Sequence, residues 1–265
     1  MTLFFREIKG NLRSFIIWTV CIVALTAMFM AMYPSFAEQG SAVTEMLSGF
    51  SPELIQMFGF EAIDFTQTMD YYAYVFQYVL LATMIQFMIL GASLLSKEED
   101  SGTINFLYSK PLSRTSIVGT KFIAGVTFIA AFFVVNTAAV IAILSAVGRT
   151  GVDYGALMLL GAAMALAQLM VMSLGMLLSM FITKSRAVMS ASIGIVLVLY
   201  VASMFANMNS DLDWLSYLTP FKYFDARAII ANVSVEWLYA LLAAGVALAG
   251  LALSLVIYNR KDLKC

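Results

Sequence analysis

The sequence predicts an all-α integral membrane protein with six transmembrane helices, and three observations carry that prediction. Of 265 residues, 62% are hydrophobic and only 12% charged, whereas soluble domains run at roughly 45–50% apolar and about 25% charged. Six stretches hold no Asp, Glu, Lys or Arg: 14–37, 71–96, 122–148, 154–183, 187–210 and 237–259. Each exceeds the ~20 residues that a helix needs to cross about 30 Å of hydrocarbon. The stretches show no period-two alternation and are too long for barrel strands, and a backbone in lipid that is not a closed barrel must be helical. With so little polar surface, the aqueous globular, disordered and nucleic-acid-binding classes are excluded.

The first stretch follows Arg6, Lys9 and Arg13, and Ser35-Phe36-Ala37 resembles a signal-peptidase site. The apolar run is longer than a usual signal core, and Tyr33 and Pro34 sit badly beside such a cut, so the run reads as a retained span. Ahead of it, Phe4, Ile8, Leu12 and Phe15 fall at helical spacing, with Arg6, Lys9 and Arg13 on another face. This predicts an amphipathic helix over 1–13 lying in the membrane interface, against the alternative of a flexible basic lead-in.

Basic residues orient the spans. Arg6, Lys9, Arg13, Lys97, Lys110, Arg114, Lys121, Lys184, Arg186, Arg260, Lys261 and Lys264 fall on one side, and only Arg149, Lys222 and Arg227 on the other. The positive-inside rule then predicts cytoplasmic termini and a cell-membrane, multi-pass protein. The net charge of −1 hides this asymmetry, because eleven of the sixteen acids lie on the side with three bases.

Several chemistries are excluded. The chain has no histidine, which removes imidazole acid/base catalysis, Ser-His and Cys-His nucleophiles, and most transition-metal sites. Cys21 in a span and Cys265 at the last position form neither a disulfide framework nor a CxxC pair. The uncharged span interiors disfavour proton-coupled carriers, charged selectivity rings and acid-plus-metal membrane enzymes, although carbonyls and hydroxyls still allow a Na⁺ site. No phosphate loop occurs, since the only Lys-Ser, Lys184-Ser185, follows Thr183. The chain is therefore not expected to be an enzyme by itself or to carry a cofactor, and any nucleotide chemistry belongs to a separate subunit.

Within the spans Gln77, Gln86, Asn136 and Gln168 are polar. They suit interhelical hydrogen bonds or the lining of a substrate path, for which Asn136, Gln168, Met172 and Met176 are the candidates. Met172, Met176 and Met180 form one stripe, fitting either ordinary packing or a surface that repacks around apolar ligands. Gly161/Ala165 and Gly245/Ala249, each four apart, would allow close helix approach.

Residues 97–116 form the most informative segment. Glu98, Glu99 and Asp100 precede Ser101 and Thr103, either of which would cap a short helix. Ile104, Leu107 and Tyr108 share one face, Pro111 stops the helix, and Ser113 caps the next one. The result is an apolar knob with a polar rim of Glu98, Glu99 and Arg114, suited to a partner's groove or to lipid.

Glu98-x-x-x-Gly102-Thr103-x-x-x-Leu107-x-Ser109-x-Pro111-x-Ser113-Arg114, ending at Lys121, resembles the cytoplasmic signature of ABC-2 type transporter permeases. Ser51-Pro52-Glu53-Leu54 through Phe58-Gly59, and Leu218-Thr219-Pro220-Phe221-x-Tyr223-Phe224, are similar to the same family, while Asn105 stands where an acid is expected. The resemblance implies that the segment is a coupling helix seated in a cytoplasmic ABC ATPase, whose ATP and Mg stay in that partner. It implies two permease chains, the same or different, with two ATPases, and short helices within 208–236 that dip into the outer leaflet. The expected function is the permease subunit of an ATP-driven exporter of an amphipathic, lipid-like or peptide substrate. The alternatives are an autonomous carrier or channel, and a non-transporting anchor for a cytoplasmic ATPase.

Overall fold

The structure, a computed structural model, describes residues 2–40, 45–46, 49–58, 63–102, 113–147, 151–182, 184–208, 214–215 and 217–260. Among the described residues the named helices, in chain order, are α1 (Thr2–Glu38), α2 (Pro52–Phe58), α3 (Thr68–Asp100), α4 (Arg114–Val147), α5 (Tyr154–Leu178), α6 (Ser185–Met208), α7 (Pro220–Tyr223), α8 (Ala226–Asn232) and α9 (Trp237–Arg260). Six of them, α1, α3, α4, α5, α6 and α9, are long and apolar enough to cross a membrane. They are the six spans that the uncharged runs predict. They alternate in direction, so one end of the bundle gathers the start of α1, the end of α3 and the end of α9.

The amphipathic segment and the first span form one continuous helix rather than two elements. No Pro or Gly pair interrupts the junction near residue 13, so nothing breaks the hydrogen-bond ladder there. At 33 residues, α3 is about 50 Å long by the 1.5 Å rise, some 20 Å more than the hydrocarbon. Its ends therefore stand at the level of the interfaces.

α3 and α5 are the inner helices. In their most apolar stretches 67% and 56% of residues are buried, against 22–33% in the other four spans. Around this pair, α9 packs on α5, α6 on α3, and α1 on α4 and α3. The exposed side chains of the outer spans are apolar, for example Ile17, Val134, Val198 and Leu248, as a lipid-facing surface requires.

Small residues set the contact between the inner helices. A Cβ on Gly91 of α3 would run into the Met172 backbone of α5, and one on Gly175 of α5 into the Met88 backbone of α3. Backbones this close leave room for hydrogen only. Gly161 is likewise held against α4, where a Cβ would sit 2.5 Å from Thr137 Oγ1. The expectation for Gly245/Ala249 fails: Gly245 has nothing within 4 Å, and both residues are exposed on the outer side of α9. Gly250, one residue on, is the close approach instead, with a Cβ 3.2 Å from Ser173.

At the end of the bundle away from the termini, Tyr33 on α1 donates its hydroxyl to the Thr66 carbonyl (2.8 Å) and accepts from Thr68 Oγ1 (3.1 Å). Tyr71 donates to the Phe29 carbonyl (3.0 Å). These bonds fasten the approach to α3 against α1. The aromatic-rich segment before α9 forms α7 and α8, with Phe221, Tyr223, Phe224 and Ile229 buried, while Tyr217 and Leu218 are exposed. α8 starts on the Asp225 carboxylate, which accepts from Arg227 N at 2.9 Å.

Candidate functional site

The residues bracketing the predicted coupling segment form a polar belt that ties span ends together. On the near side, α3 runs on through Glu98 to Asp100 and ends at Ser101 and Gly102. The Ser101 and Gly102 amides donate to the Lys97 and Glu99 carbonyls at 3.1 and 3.2 Å, and Gly102 takes a left-handed φ of 65°. Ser101 thus closes the second span, and its own hydroxyl caps the Lys97 carbonyl at 2.8 Å; it does not open a new helix. On the far side, Ser113 Oγ accepts from Ser116 N at 3.2 Å, the predicted N-cap of the third span. Thr103, Ile104, Leu107, Tyr108 and Pro111, the apolar knob and its stop, lie outside the described residues.

Four charged side chains from three helices meet at this base. Lys121 on α4, 1% exposed, donates to Glu98 Oε2 at 2.6 Å and to the Leu94 carbonyl on α3. It also stands 3.4 Å from Glu7 Oε1 on α1. Arg6 reaches Glu98 Oε1 at 3.0 Å and Glu7 Oε1 at 3.6 Å from the more exposed side. Two cations and two carboxylates make a neutral set, the condition under which charge is tolerated in so apolar a setting. Removing one member leaves an uncompensated buried charge, a loss on the order of 3–5 kcal/mol.

Two further contacts extend the belt. Ser185, at the start of α6, donates to Asp100 Oδ2 at 2.6 Å. Arg114, the first residue of α4, donates to the Tyr258 and Asn259 carbonyls at the end of α9, at 3.3 and 3.1 Å. A guanidinium there satisfies carbonyls that the helix leaves open and complements the negative end of its dipole. The two edges of the segment therefore hold the ends of α1, α6 and α9 as well as their own helices. Among the described residues the belt consists of ion pairs and helix-end contacts that join neighbouring spans.

The sequence placed Glu98 on the outward rim of a docking knob, but its side chain is turned inward to Lys121 and Arg6. Glu99 is half-buried, and Asp100 and Arg114 are spent on neighbouring spans. Sequence reasoning missed Arg6, Glu7 and Lys121 as one cluster. A signal for Lys121 existed: Ile117, Val118, Ala124, Gly125 and Phe128, at helical spacing around it, are all buried, so position 121 lies within the apolar stripe of its helix.

The residues proposed for a substrate path are closed off. Met172 and Met176 are fully buried, Met172 against Gly91 and Gly125 and Met176 with Leu95, Val118 and Tyr258. Asn136 offers its amide to Met164 Sδ at 3.9 Å, a weak contact, and its Oδ1 has no partner. Both polar atoms of Gln168 and the Oε1 of Gln86 are buried without partners. Of these amides, Asn136 makes the weak contact to Met164 across the α4–α5 interface, and Gln168 makes no hydrogen bond at either atom.

No curated protein matches the chain. The family model for the ABC-2 family transporter proteins, however, matches residues 1–263, in agreement with the six spans and the signature around Gly102 and Arg114. The chain belongs to the ABC-2 family of transporter proteins, as a multi-pass permease subunit of an ABC transporter.

Proposed function

We propose that this permease is an exporter subunit that takes its energy from a separate cytoplasmic ATPase docked on the 97–116 segment. The Arg6–Glu7–Glu98–Lys121 cluster is then the joint through which docking moves the bundle. The supporting observation is that Lys121, buried and paired with both Glu98 and Glu7, locks three spans together where the segment leaves and re-enters the bundle. Closure of two ATPases would push the segment. α3 and α4 would carry that push, Arg6 and Glu7 would bring α1 along, and Asp100 and Arg114 would pull on α6 and α9.

In this reading both termini are cytoplasmic, the membrane is the cell membrane, and two permease chains assemble with two ATPases. α7 and α8 enter the outer leaflet. The apolar, methionine-rich interior favours amphipathic or lipid-like substrates over sugars. ATP and Mg²⁺ act in the partner. Co-purification with a co-expressed cytoplasmic ABC ATPase tests the reading: wild type retains that partner, and Leu107→Asp loses it. Ion-driven flux by the lone chain in vesicles without ATP would replace it with an autonomous carrier. Partner binding with no translocated ligand would leave a membrane anchor.

A further inference from the structure

Where α1 starts and α3 ends, three exposed cations stand outside the neutral cluster. Arg6, Glu7, Glu98 and Lys121 balance one another. Lys9, Arg13 and Lys97 are exposed and form no ion pair among the described residues. The remaining carboxylates of α3 are turned elsewhere: Asp100 accepts from Ser185 of α6, and Glu99, two residues from Lys97, projects from another side of the helix.

Lys97 belongs to α3, and Lys9 and Arg13 to α1, but the fold brings them to one place. A Cβ on Gly10 would sit 3.6 Å from Lys97 Nζ. The ammonium of α3 therefore lies against α1 beside Lys9 and one turn before Arg13. Like charges gathered around one helical turn repel, and a bound anion relieves that repulsion.

Depth decides the kind of anion. The cations lie just outside the uncharged runs that begin at 14 and end at 96, the level where headgroups meet hydrocarbon. Ser14, one turn below Gly10 and exposed, offers a hydroxyl at that boundary. Deeper on α1, Ile17, one turn from Arg13, and then Val20 are both more than half exposed. Charge, hydroxyl and apolar surface follow one another along the helix in the order of a phospholipid's phosphate, glycerol region and acyl chain. A free anion would use the first of these alone.

We propose that Lys97 of α3 and Arg13 of α1, with Lys9 beside them, hold the phosphate of an anionic phospholipid whose acyl chain runs along Ile17 and Val20. The bound lipid then bridges α1 and α3 next to the Glu98–Lys121 pair. The site does not depend on the ATPase coupling above and is tested without it.

The full chain in detergent is titrated with phosphatidylglycerol, with phosphatidylcholine of the same acyl chains, and with inorganic phosphate, and bound lipid is counted by native mass spectrometry. Wild type retains phosphatidylglycerol about tenfold more tightly than phosphatidylcholine. Lys97→Gln and Arg13→Gln, both at exposed positions that leave the lipid-free melting temperature unchanged, each weaken that binding by about fivefold. Lys184→Gln, which removes an exposed cation at the same end of the bundle but before α6, leaves it unchanged. Equal retention of the two lipids, equal weakening by Lys184→Gln, or unchanged binding by both Lys97→Gln and Arg13→Gln overturns the site. Displacement of the lipid by inorganic phosphate at the same concentration overturns the assignment to a phospholipid.

Discussion

Lys121 of α4 and Glu98 of α3 stand 2.6 Å apart, Nζ to Oε2, just beyond the ends of the uncharged runs 122–148 and 71–96. The pair closes the base of the segment between them, and Glu7 of α1 completes it. Lys121→Met leaves two buried carboxylates facing only Arg6, and lowers stability by about 3–5 kcal/mol. Pairing it with Glu98→Leu recovers a large part of that loss, because the uncompensated charge goes with its partner. Thermal melts of the two single variants and the double variant, read as a double-mutant cycle, check this. Additive losses would mean that the two side chains do not interact.

The contact between α3 and α5 makes a second prediction. Gly91→Leu and Gly175→Leu each force a side chain into the facing backbone, costing at least ~1–3 kcal/mol. Gly245→Leu, facing open space on α9, changes stability by less than about 0.5 kcal/mol. The three melting temperatures, measured in one detergent, separate the positions.

Gln168 carries two buried amide atoms without partners. Replacement by Leu removes that desolvation cost while keeping the volume, so Gln168→Leu stabilises the chain by about 1–3 kcal/mol. A lower melting temperature would show that the amide bonds to water or to a second chain.

Asp64, in the approach to α3, has its carboxyl held below the usual carboxylate range by hydrogen bonds from the Thr66 hydroxyl and then the Thr66 N–H. A depressed folded value means that the carboxylate stabilises the fold fully above its unfolded pKa, near 3.9, and loses that effect as pH falls through the folded value. Thr66→Val removes the larger cause and moves the Asp64 titration up toward the ordinary value. Carboxyl NMR followed through an acid titration reads the shift, and an unmoved titration would contradict it.

The six spans were legible because uncharged runs of this length admit one backbone solution in lipid. The caps were partly legible: Ser113 opens α4 as its position suggests, but Ser101 ends α3, since Gly102 beside it supplies the left-handed turn that stops a helix. Helix partners were harder to read. Gly161 and Gly245 both have an Ala four residues on, yet only Gly161 faces a neighbour, because spacing fixes a shared face and not its direction. The charge cluster was the least legible, because it joins positions 7, 98 and 121, and each counts as an ordinary interfacial charge until the helices are brought together.

The most direct test of the proposed joint measures ATP turnover by the partner ATPase, assembled with this permease in nanodiscs, for wild type and Lys121→Met. The joint predicts that the Lys121→Met complex still assembles with the ATPase but no longer alters its turnover, as the wild-type permease does. A fully assembled Lys121→Met complex with wild-type modulation of turnover would contradict it.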